Sequence, residues 1–519
     1  MKNRLLLLFS LIGFFIISCT DDVNDNISGV DIKSEKIVLS PEEYVSVTFD
    51  NPKELSENEI CNIMNDFRYI NSEFTKKTLT KSQKVPKVNI VNKYYLTNHS
   101  KTFEQNTLRS VNSSVINVPI YEVESLNDDH NKDFALICGD ERASKVLFYV
   151  SNYDSSGEIN TEMQYFMELA KRSAISDIEL IENIKSEKRE STLNKISKEL
   201  NLPRELVTKN VIDKQVVSSD DIATKANPIG GLPIGKLTRV TSIVGPLSRI
   251  GWSQSYPYNT QMPIDQVWDG NSVYTGNIDV GCANIGIATL LSIVKPSMVG
   301  VTTSGRQILI DWDYLTSKEY LYVDEYDPVN SSPAKMVEMA GSLLRAIYIE
   351  TKSTPDRAIV DGYDEDLNEI KIDAVISTST KPQDMINYLQ KMMTYSSVGR
   401  FDPNLAKKSL QNLKPVLLYG NGHFRDKNNN AINKEPYNKE PGHAWVIDGY
   451  CTTKKSGQAM DDLYWSVNMG WGRNSFKVYF KTENSFKDCD VTFRYNNEGT
   501  INIVYYTQEQ NMIFNIVKK

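Results

Sequence analysis

The sequence is poor in the residues that build metal sites and disulfide frameworks. Its 519 residues include only four histidines, His99, His130, His423 and His443. No CxxC pair occurs, which argues against zinc, whose structural sites gather Cys and His ligands at short spacings. An excess of basic charge is missing too: Lys+Arg number 58 against Asp+Glu 66, a net charge of −8. Nucleic-acid binders carry a basic face, so no nucleic-acid partner is expected. Charges of both signs are interspersed and read as ordinary solvated surface. Internal repeats and low-complexity tracts are absent, and no metal or cofactor is expected. A long apolar run occurs once, as LLLLFSLIGFFII at residues 5–17. It is too short for a membrane-spanning helix, which takes about 20 apolar residues.

That run has the length of a signal-peptide core, and Lys2 and Arg4 precede it. The following Ile16-Ile17-Ser18-Cys19 resembles a bacterial lipoprotein cleavage box. Residues 1–18 are then a signal peptide, Cys19 the lipidated N-terminus and residues 19–39 a tether, giving a cell-envelope protein of the outer membrane or cell surface, released on processing. The alternative is a plain secretory signal with an incidental cysteine. Six cysteines less Cys19 leave five, Cys61, Cys138, Cys282, Cys451 and Cys489. Export permits disulfides, and an odd count leaves at least one thiol over. A Cys451–Cys489 bridge is left open.

Two regions follow. Residues 40–213 combine helical patterning near 60–80, β-prone runs at 118–125, 133–138 and 145–151, and amphipathic helices at 160–175 and 188–201. At 214–236, KQVVSSDDIATKANPIGGLPIGK, the apolar periodicity stops, which marks a linker open to proteolysis. Residues 237–519 begin with helices at 282–295, 333–350 and 382–394. They close with strands at 415–420, 443–450, 462–469, 476–480 and 501–506. Helices first and strands last predict a segregated α+β fold.

Cys282 opens the run CANIGIATLLSIV directly after Gly281. On its own it reads as a buried core cysteine or as a nucleophile at a helix start, where the dipole favours a thiolate. His443 stands in PGHAWVIDGY, where a polar loop enters a strand, the rigid setting a general base needs. Asn468 follows at the end of a later strand, where an amide oxygen fixes an imidazole tautomer. Gln254 precedes Cys282, and its side-chain N–H joins the Cys282 amide as an oxyanion donor. The order Gln, Cys, His, Asn is more informative than any one of them.

These residues lie in WSQSYPYN (252–259), GCANIGIA (281–288), KPVLLYG (414–420), GHAWVIDGY (442–450) and SVNMGWG (466–472). Together they resemble the streptopain-type cysteine peptidases, a branch of the papain-like fold. VPIYEVESL and DFALICGDERASKVLFYVSN, within 118–152, resemble that family's propeptide. The resemblance implies a papain-like α+β peptidase domain behind an α+β inhibitory propeptide. It implies Cys282 as nucleophile, His443 as proton acceptor, Asn468 as its orienting residue and Gln254 as oxyanion donor. Substrates are then proteins or peptides, and the chain's own propeptide is an intramolecular inhibitor. Two departures stand out. Met469 replaces the family's Trp after the Asn, with Trp471 left to share the shielding of the His–Asn bond. Asn284 and Ile285 replace small residues after the cysteine. The loop 420–442 is long. Asp426, Asn428 and Asn430 begin like a calcium loop, but Ala431 replaces its Gly and Tyr437 its Glu, so a lid is the preferred reading. The rival to a peptidase is a catalytically weak papain-like surface protein that binds partners or inhibits a peptidase.

Overall fold

A computed structural model describes residues 36–74, 87–99, 102–106, 116–126, 132–154, 161–219, 238–270, 272–324, 326–363, 369–425, 442–455, 461–481, 492–493 and 502–519. The expected signal peptide, Cys19, the tether to residue 35, Cys489, the linker from residue 220 and the loop 426–441 lie outside these residues.

The N-terminal region runs β1 (Ile37–Leu39), α1 (Pro41–Thr48), α2 (Glu57–Phe74), β2 (Val88–His99), β3 (Thr102–Asn106), β4 (Asn117–Leu126), β5 (Lys132–Cys138), β6 (Lys145–Tyr153), α3 (Thr161–Leu200), α4 (Lys209–Gln215) and β7 (Val216–Ser218). The start of α1 is written in its sequence. Ser40 accepts from the Glu43 amide, Glu43 reaches back to the Ser40 amide, and Pro41 occupies the first turn, where its missing N–H is harmless. β1 and β7 pair in parallel, Ile37 opposite Val216. Residues 37–39 of the expected tether and 214–218 of the expected linker are therefore folded.

The two helices predicted at 160–175 and 188–201 are one helix of 40 residues. No Gly or Pro falls within it, so nothing breaks the backbone ladder. Its two apolar stretches serve different cores. Phe166, Met167 and Ala170 pack on the large sheet, while Leu193, Ile196 and Leu200 pack with Leu39 and Val47. The charged middle bridges them, and that change of texture reads as a boundary.

The C-terminal region runs β8 (Thr238–Val244), β9 (Ile264–Trp268), β10 (Val273–Asn277), α5 (Cys282–Val294), β11 (Val299–Val301), β12 (Gln307–Leu309), α6 (Ala334–Glu350), β13 (Thr354–Tyr363), β14 (Glu369–Ser379), α7 (Pro382–Met392), β15 (Met393–Val398), α8 (Pro403–Gln411), β16 (Val416–Arg425), β17 (Gly442–Lys455), β18 (Asp462–Asn468), β19 (Val478–Lys481), β20 (Thr492–Phe493) and β21 (Asn502–Lys518). The fold is mixed α+β, as expected, but strands also stand among the helices. β10-β9-β14-β13 form a separate four-stranded sheet. Asp361, Gly362 and Tyr363 end β13. Its exposed Arg357, Ile359 and Asp361 give a charged face that hides the strand.

The remaining strands make one 13-stranded sheet, ordered β15-β21-β16-β17-β18-β19-β6-β5-β4-β2-β3, with β8 on β17 and β20 on β21. It joins the two regions: β19 pairs antiparallel with β6, Tyr479 opposite Tyr149. The core is shared as well, since Phe148 and Phe166 pack in one cluster with Trp445, Trp465 and Phe480. At β17 the two faces have different partners. Trp445 and Ile447 face the cluster that contains α3, and Ala444 and Val446 face the one that contains α5.

Candidate active site

α5 places Cys282 at its first turn. Gly281, at the N-cap, has φ 90°, a left-handed value that favours glycine. A Cβ there would also lie 2.9 Å from the Thr378 carbonyl oxygen. From Asn284 to Ser292 every residue of α5 is buried, whereas Cys282 is part-exposed. The apolar run thus forms a shaft under a thiol that still reaches solvent. The Cys282 Sγ lies 3.8 Å from the Gly442 carbonyl oxygen, next to His443.

Gln254 is tied to the same turn. Its backbone carbonyl accepts from the Val280 amide at 2.9 Å. Its side chain is 5% exposed, and Nε2 finds no hydrogen-bond acceptor among the described residues. A buried donor without an acceptor is costly, and the residue that carries this one is bonded through its backbone to Val280, two residues before the thiol. It has the chemistry to bind an oxyanion.

His443 begins β17 opposite Gly420 of β16. Its ring is buried and nearly parallel to two indoles, Trp445 at 5.8 Å and 19° and Trp471 at 6.2 Å and 14°. Burial pushes the imidazole down to about 4, and a hydrogen bond to the Met469 backbone carbonyl opposes that only in part. The ring is therefore neutral at pH 7.

Asn468 ends β18 opposite Val446. Its Nδ2 donates to the Ile250 carbonyl at 2.7 Å and its Oδ1 accepts from the Gly470 amide at 3.1 Å. The amide thus orders the 468–472 turn, which in turn presents the Met469 carbonyl to His443. The Trp471 amide donates to Ser475 Oγ at 2.7 Å, and the Gly472 amide to the Trp252 carbonyl at 3.0 Å. Met469 is fully buried and Trp471 is 36% exposed. The methionine therefore fills the core while the indole covers the imidazole. Sequence reasoning missed the Met469 carbonyl, because a backbone group leaves no signature in residue type.

The structure thus brings Cys282, Gln254 and the chain entering His443 to one end of β17 and α5, and places Asn468 one strand away. Cys451 is buried in the core. His423 lies on β16. Among the described residues no group of three or more His, Cys, Asp or Glu could hold a metal ion, and no helix is long and apolar enough to cross a membrane.

No known protein family matches the sequence, and none of the curated proteins does. Among solved structures, the chain is similar to a mutant fragment of prointerpain A from Prevotella intermedia, at 16% identity and a TM-score of 0.36, over 79% of this chain and 98% of that one.

Proposed function

We propose that the chain is a cysteine endopeptidase of the streptopain type, made as a zymogen, exported and held at the bacterial cell envelope by a lipid on Cys19. The observation that carries this reading is the part-exposed Cys282 at the head of a buried helix, with the unmatched Gln254 donor tied to its turn. In the reaction, Sγ of Cys282 forms a bond to the substrate carbonyl carbon while Gln254 Nε2 and the Cys282 amide hold the oxyanion. The thiol proton passes through His443 to the leaving amine as the C–N bond breaks. Water, deprotonated by the same ring, then cleaves the thioester.

The N-terminal region supports a latent form. Phe166 of α3 packs edge-on against Trp445 at 5.9 Å, and Trp445 lies against His443. An imidazole kept buried and neutral forms no ion pair with a thiolate, so activity requires this cover to loosen. Cleavage after β7, within the expected linker, removes the covalent restraint. The engaged Asn468 amide and the buried His443 favour one rival, a papain-like surface protein without turnover.

Incubating the wild type and Cys282→Ala at pH 7 under mild reduction separates the two. The wild type is expected to yield a new N-terminus between residues 214 and 237, and to be labelled by a thiol-directed epoxide; the variant should do neither. Identical fragments from both chains, or a processed wild type that takes no label, would sink the peptidase reading.

A further inference from the structure

Asn284 is a polar residue in the first turn of a largely apolar helix, and its side chain is fully buried. A buried amide is costly unless its hydrogen bonds are met. Here they are met by groups on two separate segments. Nδ2 donates to the Val280 carbonyl at 2.8 Å and to Ser353 Oγ at 3.0 Å. Oδ1 accepts from Thr351 Oγ1 at 3.0 Å. Thr351 and Ser353 bond to each other at 2.8 Å, and Ser353 bonds to Thr380 at 2.6 Å. The cluster joins the first turn of α5, the chain leaving α6 and the chain leaving β14.

Val280 is the residue this cluster acts on. Its carbonyl is held by Asn284, and its amide is held by the Gln254 carbonyl at 2.9 Å. Gly281 and Cys282 follow directly. Asn284 and Gln254 therefore grip one residue from two sides, just before the turn that carries the thiol. Neither the Gln254 segment nor the Cys282 turn can slide past the other without breaking one of these bonds.

We propose that Asn284 is a positioning residue: through Val280 it sets the Gln254 side chain and the Cys282 amide at the spacing that receives an oxyanion. This rests on the acyl-transfer reading above. Oxyanion donors act only when pre-placed, and removing one lowers turnover by about 100- to 1,000-fold. A displacement of about 1 Å at such a site costs about 100-fold.

Two reagents separate positioning from mere structural support on the self-processed chain. Iodoacetamide alkylates Cys282 without an oxyanion. A peptide aldehyde adds the thiol across its carbonyl: the C–S bond forms, and the carbonyl oxygen takes the charge or proton that the donors stabilise. In Asn284→Ala, the aldehyde should bind at least tenfold more weakly and kcat should fall at least tenfold, with KM within threefold and the iodoacetamide rate within twofold. Thr351→Val combined with Ser353→Ala keeps the amide and removes its anchors. It should weaken the aldehyde about threefold or more with the alkylation rate kept, and it decides the matter if Asn284→Ala does not fold. Aldehyde binding within twofold of wild type in the variant used, or a parallel loss of both reactions, overturns the proposal. A wild type that alkylates but binds no aldehyde overturns the acyl-transfer reading itself.

Discussion

Two buried titratable residues on β17 act in opposite directions. Asp448 is 1% exposed; its carboxylate accepts from Ser466 Oγ at 2.8 Å and from the Ser248 amide at 3.2 Å. Burial pushes this carboxyl from 3.8 up to about 7, and the Ser466 and Ser248 bonds and the Lys477 charge offset only part of that. Between about pH 4 and pH 7 the unfolded chain has lost this proton while the folded chain keeps it, so Asp448 lowers stability as pH rises through the window. That displacement amounts to about 4 kcal/mol. For His443 the window runs from 6.5 down to about 4: the unfolded chain gains a proton first, so stability falls as pH falls. Asp448→Asn copies the protonated carboxyl and keeps its shape. Its melting temperature relative to wild type should climb steadily from pH 4.5 to 7.5. A constant gap between the two curves would show that Asp448 is already ionised at pH 4.5 in the folded chain.

At the scale of elements, α5 lies against β16 and β17 because Gly286 lets it. A Cβ on Gly286 would come within 3.3 Å of Leu417 Cδ1 and 3.9 Å of Ala444 Cβ. Gly286→Ala should be close to neutral, since the helix gains up to about 1 kcal/mol from the lost glycine and the Leu417 methyl can shift. Gly286→Val overfills the contact and should lose about 1–3 kcal/mol in chemical denaturation; equal stability of the two variants would mean the helix is not seated by this residue. α5 was legible because its residues are apolar nearly all round and Gly281 marks its start. The strands around His443 and Asn468 were legible for a similar reason, since Trp445, Ile447, Tyr464 and Trp465 are β-prone residues between turn signals. α3 was misread as two helices because it serves two cores. β9, β10, β13 and β14 escaped notice because their exposed faces mix polar and apolar residues, as Ile264 with Gln266 and Ile359 with Arg357 show, which blurs the alternation that marks a strand. The clamp of Asn284 on Val280 joins residues four apart through a side chain and a backbone carbonyl, and needs Thr351 and Ser353 from a distant helix end. Asn284 itself was visible only as a polar interruption.

On the scale of the whole molecule, four charges close the seam between the regions. Lys145 Nζ lies 3.0 Å from Asp177 and 2.7 Å from Asp462, while Lys481 Nζ lies 2.8 Å from Asp177 and 3.6 Å from Asp462. Burial raises the Asp177 carboxyl, and Lys145 and Lys481 together outweigh that and hold it below its usual range. Each region contributes one lysine and one aspartate, so neither is left with a net charge when they part. Lys145→Met leaves buried carboxylates short of a partner and should cost about 3–5 kcal/mol in urea. Adding Asp462→Leu leaves the Asp177–Lys481 pair intact and should restore more than half of the loss; additive losses would mean the four charges do not act as a unit. The parallel pairing of β1 with β7 sets how the chain passes from one region to the other. The N-terminal region is a closed loop whose entry and exit lie side by side, three residues of each bonded together. A cut between Ser218 and Thr238 therefore severs no strand of the shared sheet. The nicked molecule is expected to keep its fold, and to keep its size on a gel-filtration column until the two fragments dissociate. On the zymogen reading proposed above, cleavage by itself is topologically silent: it turns an intramolecular association into one that can dilute away, and the time the fragments remain together would set the delay between cutting and exposure of the site.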